Sequence, residues 1–161
     1  MIKRILFAFV ALITVVSLIS CRKEEKIFGH AELRLPLSSD FQEFRAESFD
    51  VAYTNGTLVV GAFRVSFEAG AKLGIPDFLT AEQFARLYLS ETGREAEIKK
   101  HGLVPYYEYT EIQDGLQNSY LASFFRSRYA YFIVVFACPS AVYSENLPLF
   151  LSYTDSVIFV Y

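Results

Sequence analysis

Few residues of this 161-residue chain have the types and the spacing that catalysis requires. His30 and His101 lie far apart, and neither has a cysteine or histidine neighbour at the spacing of metal ligands. The sequence contains no Gly-x-Ser-x-Gly turn for a nucleophilic serine and no glycine-rich phosphate loop. We therefore expect no metal, no cofactor and no enzymatic activity.

Paired carboxylates remain as a catalytic candidate, since glycosidases place two of them on opposite sides of the bond they cut. Glu108 and Glu111 are three residues apart in a predicted strand, so their side chains should point to opposite faces of a sheet. In that arrangement they cannot act on one substrate together. A hydrolase is therefore the least favoured function.

Chemistry of another kind is expected at Cys21. Lys3 and Arg4 precede an apolar run from Ile5 to Val16, and the segment Leu18-Ile19-Ser20-Cys21 follows it. This pattern resembles a bacterial lipoprotein signal peptide, in which a diacylglycerol is attached to the cysteine thiol and the preceding peptide bond is cut. The resemblance implies a partner for this chain, the membrane, reached through a lipid anchor on that cysteine.

The pattern divides the chain into a signal peptide over 1–20, a lipidated amino terminus and polar tether over 21–30, and one domain over 31–161. The alternative is an uncut anchor, which needs roughly 20 apolar residues to span a bilayer, and Arg22 and Lys23 end the run before that length. Two or three acyl chains, such as palmitate, would instead hold the protein on the membrane. Because no aspartate follows Cys21, the outer membrane or cell surface is favoured over the inner membrane.

Charge and cysteine content limit the partners further. Loss of Lys3 and Arg4 with the signal peptide would change the net charge from −3 to −5. Surfaces that bind nucleic acid are usually basic, so we expect no nucleic acid partner. Cys138 has no cysteine to pair with once Cys21 is lipidated, and we interpret it as a small buried residue rather than a reactive thiol.

The first half of the domain should begin with a strand near Ala31 to Leu35 and a turn through Pro36 to Asp40. A hairpin is predicted over Val51 to Val60, since Asn55-Gly56 suits a two-residue type I′ turn between β-prone runs. The strand after it alternates apolar and polar residues, which predicts one face against a core. The residues on that face are Phe63, Val65 and Phe67.

A helix over Ala81 to Thr92 follows, because Thr80 and Gln83 have capping-box spacing and Gly93 suits the position after the last turn. Three strands in meander order come next: Leu103 to Ile112, Ser119 to Arg126, and Tyr129 to Ala137. The third strand is apolar on both faces and should lie centrally, with cover on both sides.

A second helix is predicted to start near Leu147, where Asn146 and Pro148 suit a helix start. The strand Ser156 to Tyr161 closes the chain. These elements define an α+β domain with an antiparallel sheet flanked by helices.

The order of the elements and several segments resemble the PsbP-like fold: LRLPLSSDF, YYEYTE, YAYFIVVFACP and SYTDSVIFVY. The resemblance covers most of residues 31–161 and implies an α/β/α sandwich. The superfamily includes the PsbP subunit of photosystem II, the Ran-binding Mog proteins and envelope lipoproteins of the DcrB type. The resemblance implies a binding or assembly role without catalysis, and it implies no particular functional residue.

Aromatic residues are unusually frequent, with 11 tyrosines and 16 phenylalanines. Tyrosine is common on binding surfaces because its ring buries area while its hydroxyl keeps a hydrogen bond. A possible binding surface on the meander comprises Tyr106, Tyr107, Tyr109, Tyr120, Arg126 and Tyr129. Packing within the sheet would explain the same residues.

Two functions fit these observations. The first is a lipid-tethered envelope protein that binds another envelope protein or supports an envelope assembly. The second is a carrier of a small or lipidic ligand in a pocket between the sheet and a helix. The carrier requires a cavity beneath the helix over Ala81 to Thr92.

Overall fold

The computed structural model describes residues 25–30, 32–113 and 115–161, apart from the side chains of Glu25 and His30. The predicted signal peptide, Cys21 and the first part of the predicted tether lie outside these ranges. The strands are β1 (Glu25–His30), β2 (Leu33–Ser38), β3 (Gln42–Phe44), β4 (Val51–Thr54), β5 (Val59–Ser66), β6 (Lys99–His101), β7 (Val104–Gln113), β8 (Leu116–Arg126), β9 (Ala130–Pro139) and β10 (Ile158–Phe159). The helices are α1 (Phe67–Lys72), α2 (Ala81–Thr92) and α3 (Tyr143–Asp155), with a 3-10 turn at Ser140–Val142.

Seven strands form an antiparallel sheet in the order β3-β4-β5-β9-β8-β7-β6. The predicted meander β7-β8-β9 is confirmed, and β9 occupies the centre of the sheet. Every residue from 130 to 136 in β9 is buried. The absence of alternation in this segment is therefore explained by packing on both faces, as continuous apolar strands require.

Each face of the sheet carries its own hydrophobic core. Helix α2 covers one face, where Phe84, Ala85 and Leu89 pack on β7, β8 and β9. Helix α3 and strand β2 cover the other face and contribute a second buried set: Leu33, Leu35, Leu37, Phe150 and Tyr153. The α+β class and the flanking helices are confirmed. The α3 layer also contains a small sheet, β1-β2-β10, that the sequence did not predict.

Helix α2 has the predicted bounds and both predicted caps. The Gln83 N–H donates to Thr80 Oγ1 at 3.2 Å, and the Thr80 N–H donates to Gln83 Oε1 at 2.8 Å. Gly93 ends the helix in the left-handed conformation, with φ of 64°, which glycine adopts without steric cost. The helix is specified locally, and its apolar stripe then fixes which face meets the sheet.

The β4–β5 hairpin is confirmed, but its loop is longer than the predicted two-residue turn. Thr54 pairs with Val59, so four residues, 55–58, form the connection. The Asn55 side chain closes this loop by accepting the N–H groups of Thr57 at 3.1 Å and Leu58 at 2.8 Å. An asparagine that bonds the backbone two and three residues ahead replaces the type I′ geometry.

The predicted tether over 21–30 is wrong for its last six residues, because they form β1 and pair with β2. The ring of Phe28 packs on Tyr53 with centroids 4.8 Å apart, and the Gly29 N–H donates to the Tyr53 hydroxyl at 3.0 Å. The predicted turn at Pro36 is wrong too, since this residue lies inside β2. Proline has no backbone N–H to donate to a neighbouring strand. Strand β10 pairs only with Leu33 and Arg34, so Pro36 removes no hydrogen bond to β10.

The predicted start of α3 near Leu147 is also wrong. The helix begins at Tyr143, and Pro148 lies inside it. The Asn146 side chain donates to the carbonyl of Val142 at 2.8 Å, within the first turn, rather than capping a later one. A proline past the first turn removes one backbone bond and crowds the carbonyl four residues earlier, and the packing of Phe150 and Tyr153 on the sheet offsets that loss.

Candidate interaction surface

Three of the predicted surface tyrosines lie side by side on the face covered by α2. We call Tyr107, Tyr109 and Tyr120 the tyrosine row. Tyr109 and Tyr120 are directly opposite in the β7–β8 pair, and their rings stack with centroids 4.6 Å apart and planes 7° apart. Tyr107 lies 5.4 Å from Tyr109 and is 1% exposed.

Arg94 covers the tyrosine row from the loop after α2. Its guanidinium lies 4.2 Å from the centroid of the Tyr109 ring, a cation–π distance. Nη1 donates to the Tyr107 hydroxyl at 3.4 Å, and Nη2 forms an ion pair with Glu111. Sequence reasoning missed Arg94, although the helix end predicted at Gly93 was a signal that the chain changes direction just before it.

The three hydroxyls of the tyrosine row are uncharged at neutral pH. Burial raises the pKa of Tyr109 to about 12, and burial also raises the pKa of Tyr107 and of Tyr120. These hydroxyls therefore stay protonated under physiological conditions. They can hold hydrogen bonds, but they cannot act as phenolate nucleophiles or bases.

Tyr106 does not join the row. It is 9% exposed and belongs to the core on the other face, with β2 and α3. Successive side chains of a strand point to opposite faces, so Tyr106 and Tyr107 cannot contribute to one surface. The structure thus separates two residues that sequence reasoning grouped together.

Arg126 and Tyr129 lie at the far end of β8, away from the tyrosine row. Tyr129 is 51% exposed and Tyr161 is 73% exposed, and their rings meet edge to face with centroids 6.1 Å apart. The guanidinium of Arg128 lies 5.3 Å from the Tyr129 ring. We call Arg126, Arg128, Tyr129 and Tyr161 the Tyr129 patch. Sequence reasoning missed Tyr161, which the β10–β2 pairing brings to this end.

Arg126 is held in place at the rim of this patch. Its guanidinium lies 5.3 Å from the ring of Phe67, and Nη2 donates to the carbonyl of Asp77 at 3.0 Å. These two contacts fix the position of the charge without neutralising it. A positioned arginine beside exposed tyrosines matches the composition of binding hot spots.

The two carboxylates of β7 have separate partners on the two faces. Glu108 accepts from the Tyr143 hydroxyl at 2.8 Å and pairs with Lys99 at 2.8 Å, whereas Glu111 pairs with Arg94. Burial, followed by the Glu108 hydrogen bond, raises the pKa of Tyr143. The carboxylates thus tie α3 and the loop after α2 to the sheet, and they do not converge on a common point.

The space beneath each helix is filled by side chains. Under α2, Phe84 stacks on Tyr131 with centroids 4.3 Å apart, and under α3, Phe150 stacks on Phe136 at 5.4 Å. The carrier hypothesis required a cavity beneath α2, and the described side chains occupy that space. Cys138 is 3% exposed, and burial raises the pKa of its thiol, in line with the prediction of an inert buried residue.

Two further features of the described residues bear on function. No group of three or more histidine, cysteine, aspartate or glutamate side chains among them could hold a metal ion. None of the helices they form has the length and apolar character needed to cross a membrane.

No family model and no curated protein matches this sequence. Among solved structures, the chain is similar to a protein of Bacteroides thetaiotaomicron VPI-5482, with 14% identity and a TM-score of 0.56 over 88% of this chain. It spans 50% of that protein's length. It is also similar to cyanobacterial PsbP (CyanoP) from Synechocystis sp. PCC 6803, with 10% identity and a TM-score of 0.54, covering 88% of this chain and 95% of the other.

LpqN, involved in cell envelope biogenesis of Mycobacterium tuberculosis, matches with 9% identity and a TM-score of 0.44, covering 86% of this chain and 91% of the other. At 14% and 10% identity, the likeness to the first two proteins reports the fold alone. The chain is an α+β protein with an antiparallel sheet flanked by helices. More particularly, its fold is PsbP-like.

Proposed function

We propose that this protein is a lipoprotein of the bacterial cell envelope that binds an envelope protein through the Tyr129 patch and has no catalytic activity of its own. Acyl chains on Cys21 hold it on the membrane, in the outer membrane or at the cell surface. The signal-peptide pattern supports the anchor. The exposed pair Tyr129 and Tyr161 beside two arginines is the observation that carries the binding role.

The tyrosine row is less suited to a partner because its side chains are already used. Tyr107 is buried, and Tyr109 is stacked on Tyr120 and covered by Arg94. Binding there would have to displace an ion pair and a cation–π contact. In the Tyr129 patch, by contrast, the two tyrosine rings stay 51% and 73% exposed even with their contacts to each other and to Arg128. Arg126 and Arg128 favour a partner with an acidic surface.

The Tyr129 patch lies at the end of the fold remote from the start of β1. Glu25 pairs with Ser38, and two residues later Asp40 accepts from Asn55 in the β4–β5 loop at 3.4 Å. That loop is level with the carboxyl end of β9, since Val59 pairs with Ala137. Tyr129 precedes the other end of β9, so a chain anchored before β1 would present the patch away from the bilayer.

Recovery of a partner with the full-length lipidated protein tests this function. The tagged protein is purified from envelope solubilised in mild detergent, alongside Tyr129→Ala and the matched control Phe44→Ala, which removes an exposed aromatic on edge strand β3. We expect one specific partner with the parent and the control, and at least a tenfold lower yield with Tyr129→Ala. Equal yields from all three proteins, or no reproducible partner, would contradict the proposal.

A further inference from the structure

We infer that the tip of the β7–β8 hairpin rests in the headgroup layer of the membrane and forms a second point of attachment beside the lipid anchor. The inference rests on the proposed function, because it takes Cys21 as the site of the acyl chains. It assigns a lipid surface as the occupant of the exposed apolar residues Ile112 and Leu116.

The short connection to β1 restricts how far the domain can stand from the bilayer. Three residues separate Cys21 from Glu25. Even when fully extended, this stretch of chain spans no more than about 14 Å. The end of the fold where β1 begins must therefore lie close to the lipid.

Strand register places the β7–β8 tip at that same end. Glu25 pairs with Ser38, beside the β4–β5 loop, and that loop is level with the carboxyl end of β9. Asn118 in β8 pairs with Pro139, the last residue of β9. Beyond this level the hairpin continues without a third strand among the described residues, through the pairs Ile112 with Gln117 and Gln113 with Leu116. The tip thus projects past the sheet, toward the side where the chain is anchored.

The tip carries an apolar side chain on each of its faces. Ile112 is 74% exposed and Leu116 is 69% exposed. They point to opposite faces, because Leu116 is opposite Gln113, the neighbour of Ile112 in the strand. A flat protein surface could bury only one of these two side chains and would leave the other exposed to water. A lipid interface surrounds the tip and takes up both.

Charge at the tip indicates which lipid and what depth. Ile112, Gln113, Leu116 and Gln117 are uncharged, and Glu111 is paired with Arg94. The uncharged amide side chains of Gln113 and Gln117 favour the polar headgroup layer over the hydrocarbon. With no basic residue from 111 to 117, the tip should meet zwitterionic headgroups and gain nothing from anionic lipid.

A fluorescent label on the tip tests the assignment. Full-length lipidated Gln113→Cys is labelled with an environment-sensitive dye and placed in vesicles of phosphatidylethanolamine and phosphatidylcholine. Cys138 is 3% exposed and should stay unlabelled. The control is Lys72→Cys, whose side chain is 74% exposed on α1. Helix α1 follows Ser66, the partner of Ala130 at the opposite end of the sheet. We expect a blue shift and quenching by headgroup-labelled lipid for Gln113→Cys, and neither for the control.

A second variant, Ile112→Asn combined with Leu116→Asn, should leave the vesicles about tenfold faster than the parent. A water-like spectrum at Gln113→Cys in protein whose intact mass shows acyl chains would overturn the inference and leave the anchor standing. Shielding in native envelope vesicles but not in pure lipid would also overturn it, because a protein would then cover the tip. Intact mass without acyl chains would instead contradict the proposed function itself.

Discussion

Arg94 covers the tyrosine row on the β7–β8 pair and limits how far its rings are exposed. It follows the left-handed turn at Gly93, spans the ring of Tyr109 and reaches both the Tyr107 hydroxyl and Glu111. These contacts pack the polar segment that contains Tyr107, Tyr109 and Glu111 against Arg94. The tyrosines of the row act as interior groups with hydrogen-bonding tips rather than as a free surface.

The raised pKa of Tyr109 predicts loss of stability in alkali. The unfolded chain ionises this phenol near pH 10, whereas burial raises the pKa of Tyr109 to about 12 in the fold. The folded state favours the neutral form, so its contribution is complete below about pH 10 and is lost as pH rises through about 12. We expect the free energy of unfolding in urea to fall across this window, and to fall less in Tyr109→Phe.

Tyr161→Phe is the matched control for this measurement, since Tyr161 is 73% exposed. Its alkaline slope should equal that of the parent protein. If Tyr109→Phe shows the parent slope as well, Tyr109 is not held neutral by the fold.

Gly61 shows how a missing side chain positions a loop. A Cβ built at this residue would lie 2.6 Å from Cδ1 of the Phe49 ring, a distance at which atoms cannot stay. We predict that Gly61→Ala displaces Phe49 and destabilises the protein by about 1–3 kcal/mol, the usual cost of overpacking. Urea unfolding measures this loss.

The double variant Gly61→Ala with Phe49→Ala tests the cause. Removal of the ring should remove the clash, so the two changes together should cost less than the sum of their separate costs. If the two losses in the free energy of unfolding are additive, the clash with Phe49 is not the cause of the effect of Gly61→Ala.

At the scale of elements, α2 owes its bounds to its own residues. The reciprocal bonds of Thr80 and Gln83 satisfy the first turn, and Gly93 satisfies the last. We predict that Thr80→Ala destabilises the protein by about 1 kcal/mol, whereas Thr80→Ser keeps the cap and most of the stability. Thermal and urea unfolding of both variants check this, and equal loss in the two would show that the hydroxyl is not the cause.

Elements with local signals were predictable, and elements defined by distant partners were not. Helix α2 and strand β9 carry their signals within about a dozen residues. Strand β1 is stabilised by its pairing with β2 and by the Tyr53 hydroxyl. Strand β6 is defined by the pairing of three residues with β7. Helix α1 was missed because Gly70 and Gly74 indicate a break, although Ser66 caps it by accepting from the Ala69 N–H at 3.1 Å.

The candidate surface follows the same division. Periodicity along β7 and β8 can bring Tyr107, Tyr109 and Tyr120 together, because their pairing depends on one short hairpin. It cannot supply Arg94, which arrives from the loop after α2, or Tyr161, which arrives through β10. Both residues come from segments whose position depends on the whole fold.

At the scale of the whole molecule, we predict that a mutation can separate the proposed anchor from the domain. Cys21→Ala should block lipidation, so the protein should either keep its leader or leave the membrane fraction. The fold should be unchanged, because Cys21 precedes the first described strand. Fractionation with gel migration and circular dichroism checks both parts. A variant that fractionates and migrates as the parent would contradict the envelope anchor.

The β1–β2 pairing has a mechanical consequence for a protein held at Cys21. Glu25 and Ser38 are partners, so the start of β1 and the end of β2 leave the small sheet side by side. Tension between the membrane and the domain would break the β1–β2 hydrogen bonds one after another from Glu25, rather than all at once. The bond between the Gly29 N–H and the Tyr53 hydroxyl would resist late in this opening, just before the final pair of His30 with Leu33. The six residues of β1 would thus release about 20 Å of chain, with loss of the contact between Phe28 and Tyr53.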